Sequence, residues 1–325
     1  MKEDEFRNYL QKRKLKAEDI DFAVCMAKEF EQYLEKNNRT LESAELDSLI
    51  DYISLMIKEG KNTWDRLVAI ARFCYHAKKN DFYIYFTSVL GARNVLPDMG
   101  ERVANIAGEK VKSRIFQDFK LPPLGAPQEN YPKLTKTIMD RMESELPIET
   151  CKQILTWNYH KIPAEAFKQK KERFENASTI DEWLKIEHEK LVEELSKSMK
   201  EGRTWYEQEI TPEVLKFVSD NQEISTGARQ DDTIFVTKIP YAPKEYLKEE
   251  DPALKRFYAC HCPLVRTAIR ERRPEISPTF CYCSGGFTKF GFDQVFGEPV
   301  KIELLESVLK GDTKCRFAIK IPKTK

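Results

Sequence analysis

Near its C-terminal end the sequence reads Val300-Lys-Ile-Glu-Leu-Leu-Glu-Ser-Val-Leu-Lys-Gly-Asp-Thr-Lys-Cys-Arg-Phe-Ala-Ile-Lys-Ile321. Two strand-like runs flank the glycine-bearing turn Lys310-Gly-Asp-Thr313, and this pattern predicts a β-hairpin. A further strand is predicted for Thr233-Ile-Phe-Val-Thr-Lys-Ile239, which is short, rich in β-branched residues and followed by Pro240. The chain beyond residue 232 is therefore expected to mix strands with helices.

The chain before residue 232 carries the periodicity of helices instead. Apolar residues recur every three or four positions from Ala17 to Glu35 and again from Leu46 to Ile57, and a third helix is predicted from Trp64 to about His76. The apolar stretch from Tyr83 to Val111 predicts one or two buried helices, interrupted near Pro97. The predicted fold class is α+β, with an all-helical N-terminal region followed by a smaller mixed α/β C-terminal domain that ends in a β-hairpin.

A proline-rich segment divides the helical region. Residues 120–132 contain four prolines and one glycine, which is typical of an extended connector. Beyond it, the capping box formed by Thr179 and Glu182 predicts the start of a helix that ends near Gly202. The predicted organisation is a helical domain over 1–120, a connector over 121–132, a second helical block over 133–232 and a cysteine-rich α/β domain over 233–325.

The charge balance narrows the class of partner. The 54 basic and 53 acidic residues leave a formal net charge of +1, so no nucleic-acid footprint is evident. The start Met1-Lys-Glu-Asp-Glu5 is polar, and no apolar run reaches the ~18 to 20 residues that span a bilayer. The predicted location is the cytoplasm, and the predicted partner is a small organic ligand rather than nucleic acid or a membrane. In that reducing compartment, eight cysteines favour metal binding or reactive thiols over disulfides.

Two Cys-x-Cys pairs carry the main functional signal. Cys260 and Cys262 are separated by eighteen residues from Cys281 and Cys283. In extended backbone, residues i and i+2 point to the same side, so each pair could offer two sulfurs to one ion. Four thiolates would complete a tetrahedral site, and zinc is the predicted metal although the common zinc pattern has two intervening residues. An iron–sulfur cluster is the less favoured alternative because its familiar spacings are absent, and free thiols remain the other reading.

The flanking residues predict activated thiols. Pro263 suits the first turn of a helix over residues 264–270, and residues 284–286 lead into a second helix, so both cysteine pairs are expected at helix N-termini. The positive ends of those helices, together with Arg266 and Arg270, are expected to lower the thiol pKa values. The same two arginines could bind the carboxylate of an anionic ligand, with a solvated helix face as the alternative.

Other cysteines and histidines have weaker patterns. His261 could coordinate the metal, act as a base, or point away from the cluster, as alternation in an extended segment predicts. Cys315 begins the final strand and could either approach the cluster or serve as a small buried apolar residue. Core packing is the expected role of Cys25, Cys74 and Cys151, and solvated or capping roles are expected for His76, His160 and His188.

The segment Phe280-Cys-Tyr-Cys-Ser-Gly-Gly-Phe287, together with residues 297–319, resembles the C-terminal part of bacteriochlorophyll 4-vinyl reductase-type domains. It is also similar to L-2-amino-thiazoline-4-carboxylic acid hydrolase-like proteins. The shared layout is a cysteine before a glycine-containing helix, a strand, a Gly-Asp turn and a Cys-x-Phe strand. Those domains often carry a cysteine where this chain has Ser307, and the pair Cys260 and Cys262 could supply the missing thiols. The whole chain resembles an uncharacterised bacterial cysteine-rich family.

The resemblance implies an α/β module that binds a small organic ligand, sometimes as a sensor, through a domain with metal-bound cysteines. The predicted function is accordingly a cytoplasmic small-molecule-binding or sensing protein with a cysteine-ligated zinc site. One alternative is a hydrolase that opens a small cyclic C=N substrate with a cysteine thiolate or zinc-bound water. The other alternative is a thiol redox or metal-sensing switch.

Overall fold

The computed structural model describes residues 2–323. Its first part is helical, as the apolar periodicity predicts. The helices there are α1 (Glu3–Lys12), α2 (Ala17–Lys36), α3 (Leu46–Lys58), α4 (Trp64–His76), α5 (Asn80–Leu90), α6 (Val95–Ala107) and α7 (Glu109–Ile115). None of the helices formed by residues 2–323 combines the length and apolarity that a membrane crossing needs.

Further helices follow the proline-rich segment, and the last four lie between the second and third strands of a small sheet. They are α8 (Pro132–Glu145), α9 (Ile148–Leu155), α10 (Lys168–Asn176), α11 (Ile180–Glu201), α12 (Pro212–Ser219), α13 (Pro243–Lys248), α14 (Pro252–Ala259), α15 (Arg266–Glu271) and α16 (Tyr282–Phe296). Short 3₁₀ helices cover Gln128–Asn130, Ala164–Phe167 and Pro278–Cys281.

The sheet has four antiparallel strands. They are β1 (Ala228–Gln230), β2 (Thr233–Thr237), β3 (Lys301–Glu306) and β4 (Arg316–Lys320), in the spatial order β1-β2-β4-β3. The predicted hairpin is confirmed as the pair of β3 and β4, with a bulge between Leu304 and Glu306. Its turn is held by the Ser307 carbonyl, which accepts from the amides of Lys310 and Asp312. A small antiparallel sheet after a helical region confirms the α+β class.

The helices predicted over residues 17–35, 46–57 and 64–76 are confirmed. The stretch from Tyr83 to Val111, predicted as one or two helices, instead spans parts of the three helices α5, α6 and α7. Pro97 does not interrupt a helix: it lies in the first turn of α6, where the backbone N–H that proline lacks has no intrahelical acceptor. The chain breaks earlier, at residues 91–94 between α5 and α6. The predicted start of α11 is confirmed, because the Glu182 amide donates to Thr179 Oγ1 at 3.1 Å, although the Glu182 carboxylate accepts from the Ser178 amide rather than from that of Thr179. Gly202 ends α11 in left-handed conformation.

The buried apolar residues group into cores that cross the predicted domain limits. One core is built from residues 6–90 with Leu124 of the connector. A second core joins residues 92–159 to residues 259–317, so α6 packs with the cysteine-rich region rather than with α1–α5 alone. Smaller cores lie beneath α11 and the sheet. The four-part division of the chain stays a prediction, and the packing places residues 92–120 with the second core.

Candidate functional site

The structure gathers five cysteines from separate segments into one region. Cys260 is the extended residue that ends α14, and Cys262 follows two residues later. Cys281 ends the last 3₁₀ helix, Cys283 is the second residue of α16, and Cys315 directly precedes β4. All five are free thiols. Cys262 retains some exposure, whereas the other four are buried.

The thiols lie near enough to affect one another's ionisation. A thiolate at Cys262 or Cys315 raises the pKa of Cys260, and one at Cys315 or Cys260 raises the pKa of Cys281. Cys283 and Cys281 act in the same way on Cys262. These five cysteines and Lys238, which interacts with four of them, form what we call the thiol–lysine cluster. Cys315 thus interacts with Cys260 and Cys281, and its role as a further ligand stays a prediction.

The predicted activation of the thiols is wrong. Burial raises the pKa of Cys283 to about 12 and raises the pKa values of Cys260, Cys262 and Cys281 well above their ordinary 9.0. The prediction was based on helix N-termini and nearby arginines, which stabilise a thiolate. The free-energy cost of removing that thiolate from water is larger than this stabilisation. The thiols of the cluster are consequently protonated at neutral pH.

The predicted extended backbone is not found at the second pair. Cys260 is extended, at φ −77° and ψ 118°, whereas Cys281 is helical at φ −65° and ψ −12° and Cys283 lies within α16. In a helix, residues i and i+2 point about 200° apart, so the second pair does not present two sulfurs to one ion. Across residues 2–323, no group of three or more His, Cys, Asp or Glu side chains is arranged so that it could hold a metal ion. As placed, the side chains do not fit a zinc or iron–sulfur site, which stays a prediction from the sequence.

Lys238 is the feature of the cluster that the sequence analysis missed. It follows β2, and its Nζ donates to Ser284 Oγ at 3.0 Å and lies 5.0 Å from the centroid of the Phe287 ring. Within the described part of the chain, it forms no ion pair with a carboxylate. Burial lowers the pKa of Lys238, and a charge on a neighbouring thiolate would oppose that shift. The sequence did contain one indication that Lys238 is unusual, namely its position at the end of an apolar strand. A lysine there must either reach solvent or find polar partners.

Three aromatic residues lie on α16 and on the loop that packs against it. Trp157 is 52 % exposed and Phe287 is 41 % exposed, and the exposed His160 ring packs edge-on against Phe287 with 5.4 Å between centroids. We call these three residues the aromatic mouth. Gly286 brings α16 against the loop that carries Trp157, because a Cβ at Gly286 would lie 2.3 Å from the Trp157 backbone nitrogen.

His261 points away from the thiols. Its Nε2 hydrogen-bonds to the Ile239 carbonyl at 2.6 Å, and its ring meets Tyr241 edge-on. Burial lowers the pKa of His261 to about 3, so the imidazole is neutral. Of the three roles considered for His261, this geometry favours a structural one.

The two candidate arginines differ in their surroundings. Arg270 forms an ion pair with Glu129 at 3.0 Å. Arg266 lies over the rings of Tyr241, at 4.0 Å, and Phe257, at 4.9 Å, and its buried Nε has no hydrogen-bond partner. An anionic ligand on either arginine stays a prediction.

The three remaining cysteines lie outside the cluster. Cys74 and Cys151 are buried in core packing, as expected. Cys25 is exposed, so the prediction of core packing is wrong there. The thiol lies on the solvent side of α2, 3.9 Å from Glu29 Oε1.

Two surface pockets lie apart from the cluster. One has a volume of about 410 Å³ and is lined by residues that include Asn62, Trp64 and Arg93. The other, of about 350 Å³, is lined by Phe116, Arg141 and neighbouring residues. Neither is lined by a cysteine or a histidine. The concentration of ionisable groups with displaced pKa values makes the thiol–lysine cluster the stronger candidate site.

Residues 237–325 match the model of DUF6144, a family of unknown function. No curated protein matches the chain, and no solved structure matches it. All six residues of the thiol–lysine cluster fall within the matched segment, whereas Trp157 and His160 lie outside it. The match thus covers the chemical part of the site and only one residue of the aromatic mouth.

Proposed function

We propose that the chain is a small-molecule-binding protein whose ligand sits at the aromatic mouth and hydrogen-bonds to Lys238. The proposal rests on the amine of Lys238, which interacts with four cysteine thiols and has no ion-paired carboxylate in the described part of the chain. An amine in such surroundings is costly to hold without a strong acceptor. A ligand with an acceptor atom would supply one.

The aromatic mouth indicates that the ligand also has an apolar part. Trp157 and Phe287 present large apolar areas to solvent, and exposed aromatic groups beside a polar group are typical of binding sites. Arg102 lies 3.8 Å over the Trp157 ring and orients its indole. The favoured ligand therefore has a flat or apolar body and one carbonyl-type acceptor.

The thiols form the inner wall of this site. Because their pKa values are raised, they are protonated and apolar in the resting protein. This weakens the hydrolase alternative in the form that uses a cysteine thiolate as nucleophile. It is compatible with the thiols being ligand contacts.

A small aromatic aldehyde tests the proposal, and salicylaldehyde is a suitable probe. Its carbonyl accepts from the Lys238 amine, which then forms an imine with loss of water, and cyanoborohydride reduces the imine to a stable secondary amine. At pH 7 we expect adduct at Lys238 to exceed adduct at any exposed lysine several-fold, as read by peptide mass spectrometry. Trp157→Ala should lower it, whereas Trp64→Ala, which removes an indole of similar exposure (47 %), should not.

Two outcomes would contradict the proposal. One is an adduct spread over surface lysines with Lys238 unmodified. The other comes from elemental analysis of protein purified without a metal-affinity tag. One zinc per chain, lost on replacement of Cys281 and Cys283 by serine, would establish the zinc site predicted from the sequence and make the cluster a metal centre.

A further inference from the structure

Ser284 is the side-chain hydrogen-bond partner of Lys238. It is the third residue of α16, it is partly exposed, and its Oγ lies 3.0 Å from Lys238 Nζ. A nucleophile and its base are recognised by this distance, about 2.6 to 3.2 Å, in a site that a substrate can enter. Phe287, one helical turn further on, brings the aromatic mouth beside the same hydroxyl.

We propose that Ser284 and Lys238 form a nucleophile–base pair that hydrolyses small carboxylic esters entering through the aromatic mouth. The inference rests on the proposed function in one respect, since the substrate would occupy the same ligand site. It adds a reaction and a nucleophile that differs from the cysteines considered from the sequence.

The surroundings of Lys238 suit a base. An amine accepts a proton only when it is neutral, and in the described part of the chain no carboxylate pairs with this one to hold it charged. Burial, which lowers its pKa, acts in the same direction. The ionisable groups whose charges interact with Lys238 are the thiols of Cys260, Cys262, Cys283 and Cys315, the imidazoles of His160 and His261, and the carboxyl group of Glu207. Burial raises the pKa of Glu207, which favours its neutral form beside the amine. A serine paired with a lysine is a known variant of the catalytic triad logic.

The reaction balances without a further reagent except water. Ser284 Oγ attacks the ester carbonyl carbon while its proton passes to Lys238 Nζ, and the C–O bond to the leaving alkoxide then breaks as that proton is returned to it. The alcohol departs and an acyl-serine remains. Lys238 next takes a proton from water, the hydroxide attacks the acyl carbon, and the proton returns to Ser284 Oγ as the carboxylic acid leaves.

Accessibility and the position of the base both favour Ser284 over the neighbouring Cys283. Cys283 precedes it in the chain but is only 7 % exposed, and burial raises its pKa to about 12. Ser284 needs no prior ionisation, because a base lies within hydrogen-bond distance. Cys283 therefore lines the inner wall of the site, and Ser284 is the attacking nucleophile.

The test is covalent labelling of the full chain with a fluorophosphonate, followed by peptide mapping, together with hydrolysis of 4-nitrophenyl acetate. We expect label at Ser284 on the unaltered protein, a readout that needs no variant. Ser284→Ala and Lys238→Arg should each lower hydrolysis at least tenfold, because arginine keeps the charge but cannot act as base. Ser219→Ala removes an exposed hydroxyl bonded within its own helix and should leave the rate unchanged.

The inference is overturned if the label falls on a cysteine or on other serines, or if Ser284→Ala, folded by circular dichroism, hydrolyses the ester at the original rate. Trapping of salicylaldehyde at Lys238 in Ser284→Ala separates the two proposals. If trapping persists while labelling of the original chain fails, binding stands and hydrolysis falls. If Lys238 is never trapped yet Ser284 is labelled, the binding proposal falls instead.

Discussion

The acidity of a thiol depends on its exposure to water. The eight cysteines of this chain range from exposed to buried. Cys25 lies on the surface of α2, while the cluster thiols lie among apolar side chains that disfavour their charged form. Only the thiolate reacts quickly with alkylating agents. The cysteines should therefore separate into kinetic classes.

We expect iodoacetamide at pH 7.5 to modify Cys25 first and to spare Cys260, Cys281 and Cys283 until the protein unfolds. The reason is that burial both raises the pKa of the cluster thiols and excludes the reagent. Mass spectrometry over time gives the order of modification. Cys25→Ser should abolish the rapid phase, and rapid loss of the cluster thiols in the folded protein would refute the description of a buried cluster.

The residues of the site were predictable to different degrees. The two Cys-x-Cys pairs predicted a shared location from their sequence spacing. Cys315, at the start of the predicted final strand, was left open between approaching that location and being a small buried residue. Lys238 was hidden because its partners, Ser284 and Phe287, lie more than forty residues away in the sequence. Periodicity describes which face of an element is buried, and it carries no information on which distant polar group arrives there.

At the scale of elements, α16 owes its position to a glycine. The ideal Cβ of an alanine at Gly286 would lie 2.3 and 2.5 Å from backbone atoms of Trp157, which cannot move as a flexible side chain would. The helix and the loop that carries part of the aromatic mouth are thus in direct backbone contact.

Gly286→Ala is expected to destabilise the protein by about 1–3 kcal/mol through overpacking, despite the better helix propensity of alanine. The free energy of unfolding in urea measures the effect. Gly100→Ala is the matched control, because its Cβ in α6 would meet only the Phe116 ring, at 3.5 Å, an ordinary contact. Equal stability of Gly286→Ala and the original protein would rule out the close backbone contact.

A second element-level contact joins the loop after α12 to the sheet. Arg316 donates to both carboxylate oxygens of Glu223, at 2.6 and 3.0 Å, and Thr237 of β2 donates to the same carboxylate. Burial would raise the pKa of Glu223, but the hydrogen bonds from Arg316 and Thr237 outweigh it and the pKa falls below the usual 4.5. A carboxylate with a lowered folded-state pKa stabilises the protein above pH 4.5, and this contribution is lost as the pH falls through the folded-state value.

Glu223→Gln should consequently cost about 1–2 kcal/mol at pH 7, and the difference from the original protein should shrink as the pH drops below 4.5. Thermal unfolding across that pH range measures it. Asp181→Asn breaks an exposed ion pair with Arg229 and should cost less than about 1 kcal/mol. A Glu223→Gln penalty that stays constant with pH would contradict the electrostatic account.

Elements with repeated patterns were well predicted, and irregular ones were not. The helices α2, α3 and α4 and the final hairpin follow directly from apolar spacing and turn residues. The predicted interruption at Pro97 was wrong because proline is also common in the first turn of a helix. The second cysteine pair misled because Ser284 and the glycines after it, expected just before a helix, already lie inside α16.

At the scale of the whole molecule, the cores combine residues from both sides of the proline-rich connector. Val95, Leu96, Met99 and Val103 of α6 belong to the same core as the cysteine-rich region, although they precede the connector by more than sixteen residues. Leu124 of the connector itself packs into the N-terminal core. Composition identified a real break in regular structure, but a break in secondary structure is not a break in packing.

A fragment of residues 92–325 is expected to unfold cooperatively, whereas a fragment of residues 133–325 is not, because it lacks the α6 side chains of the second core. Thermal melts followed by circular dichroism, with proton NMR dispersion, compare the two. The fragment of residues 1–124 serves as the complementary piece, since it retains the N-terminal core with Leu124. A sharp transition from residues 133–325 alone would support the division predicted from composition.

The strand order leaves β1 and β3 at the two edges of the sheet. An edge strand offers unpaired backbone groups on which another polypeptide can grow, and proteins protect such edges by shortening them or lining them with charge. Here β1 is only three residues long, and β3 carries exposed Lys301 and Glu303. These features oppose self-association through the sheet, so the protein should stay in solution at high concentration. Replacing Lys301 and Glu303 with threonine should make the edge strand β3 more prone to form fibres.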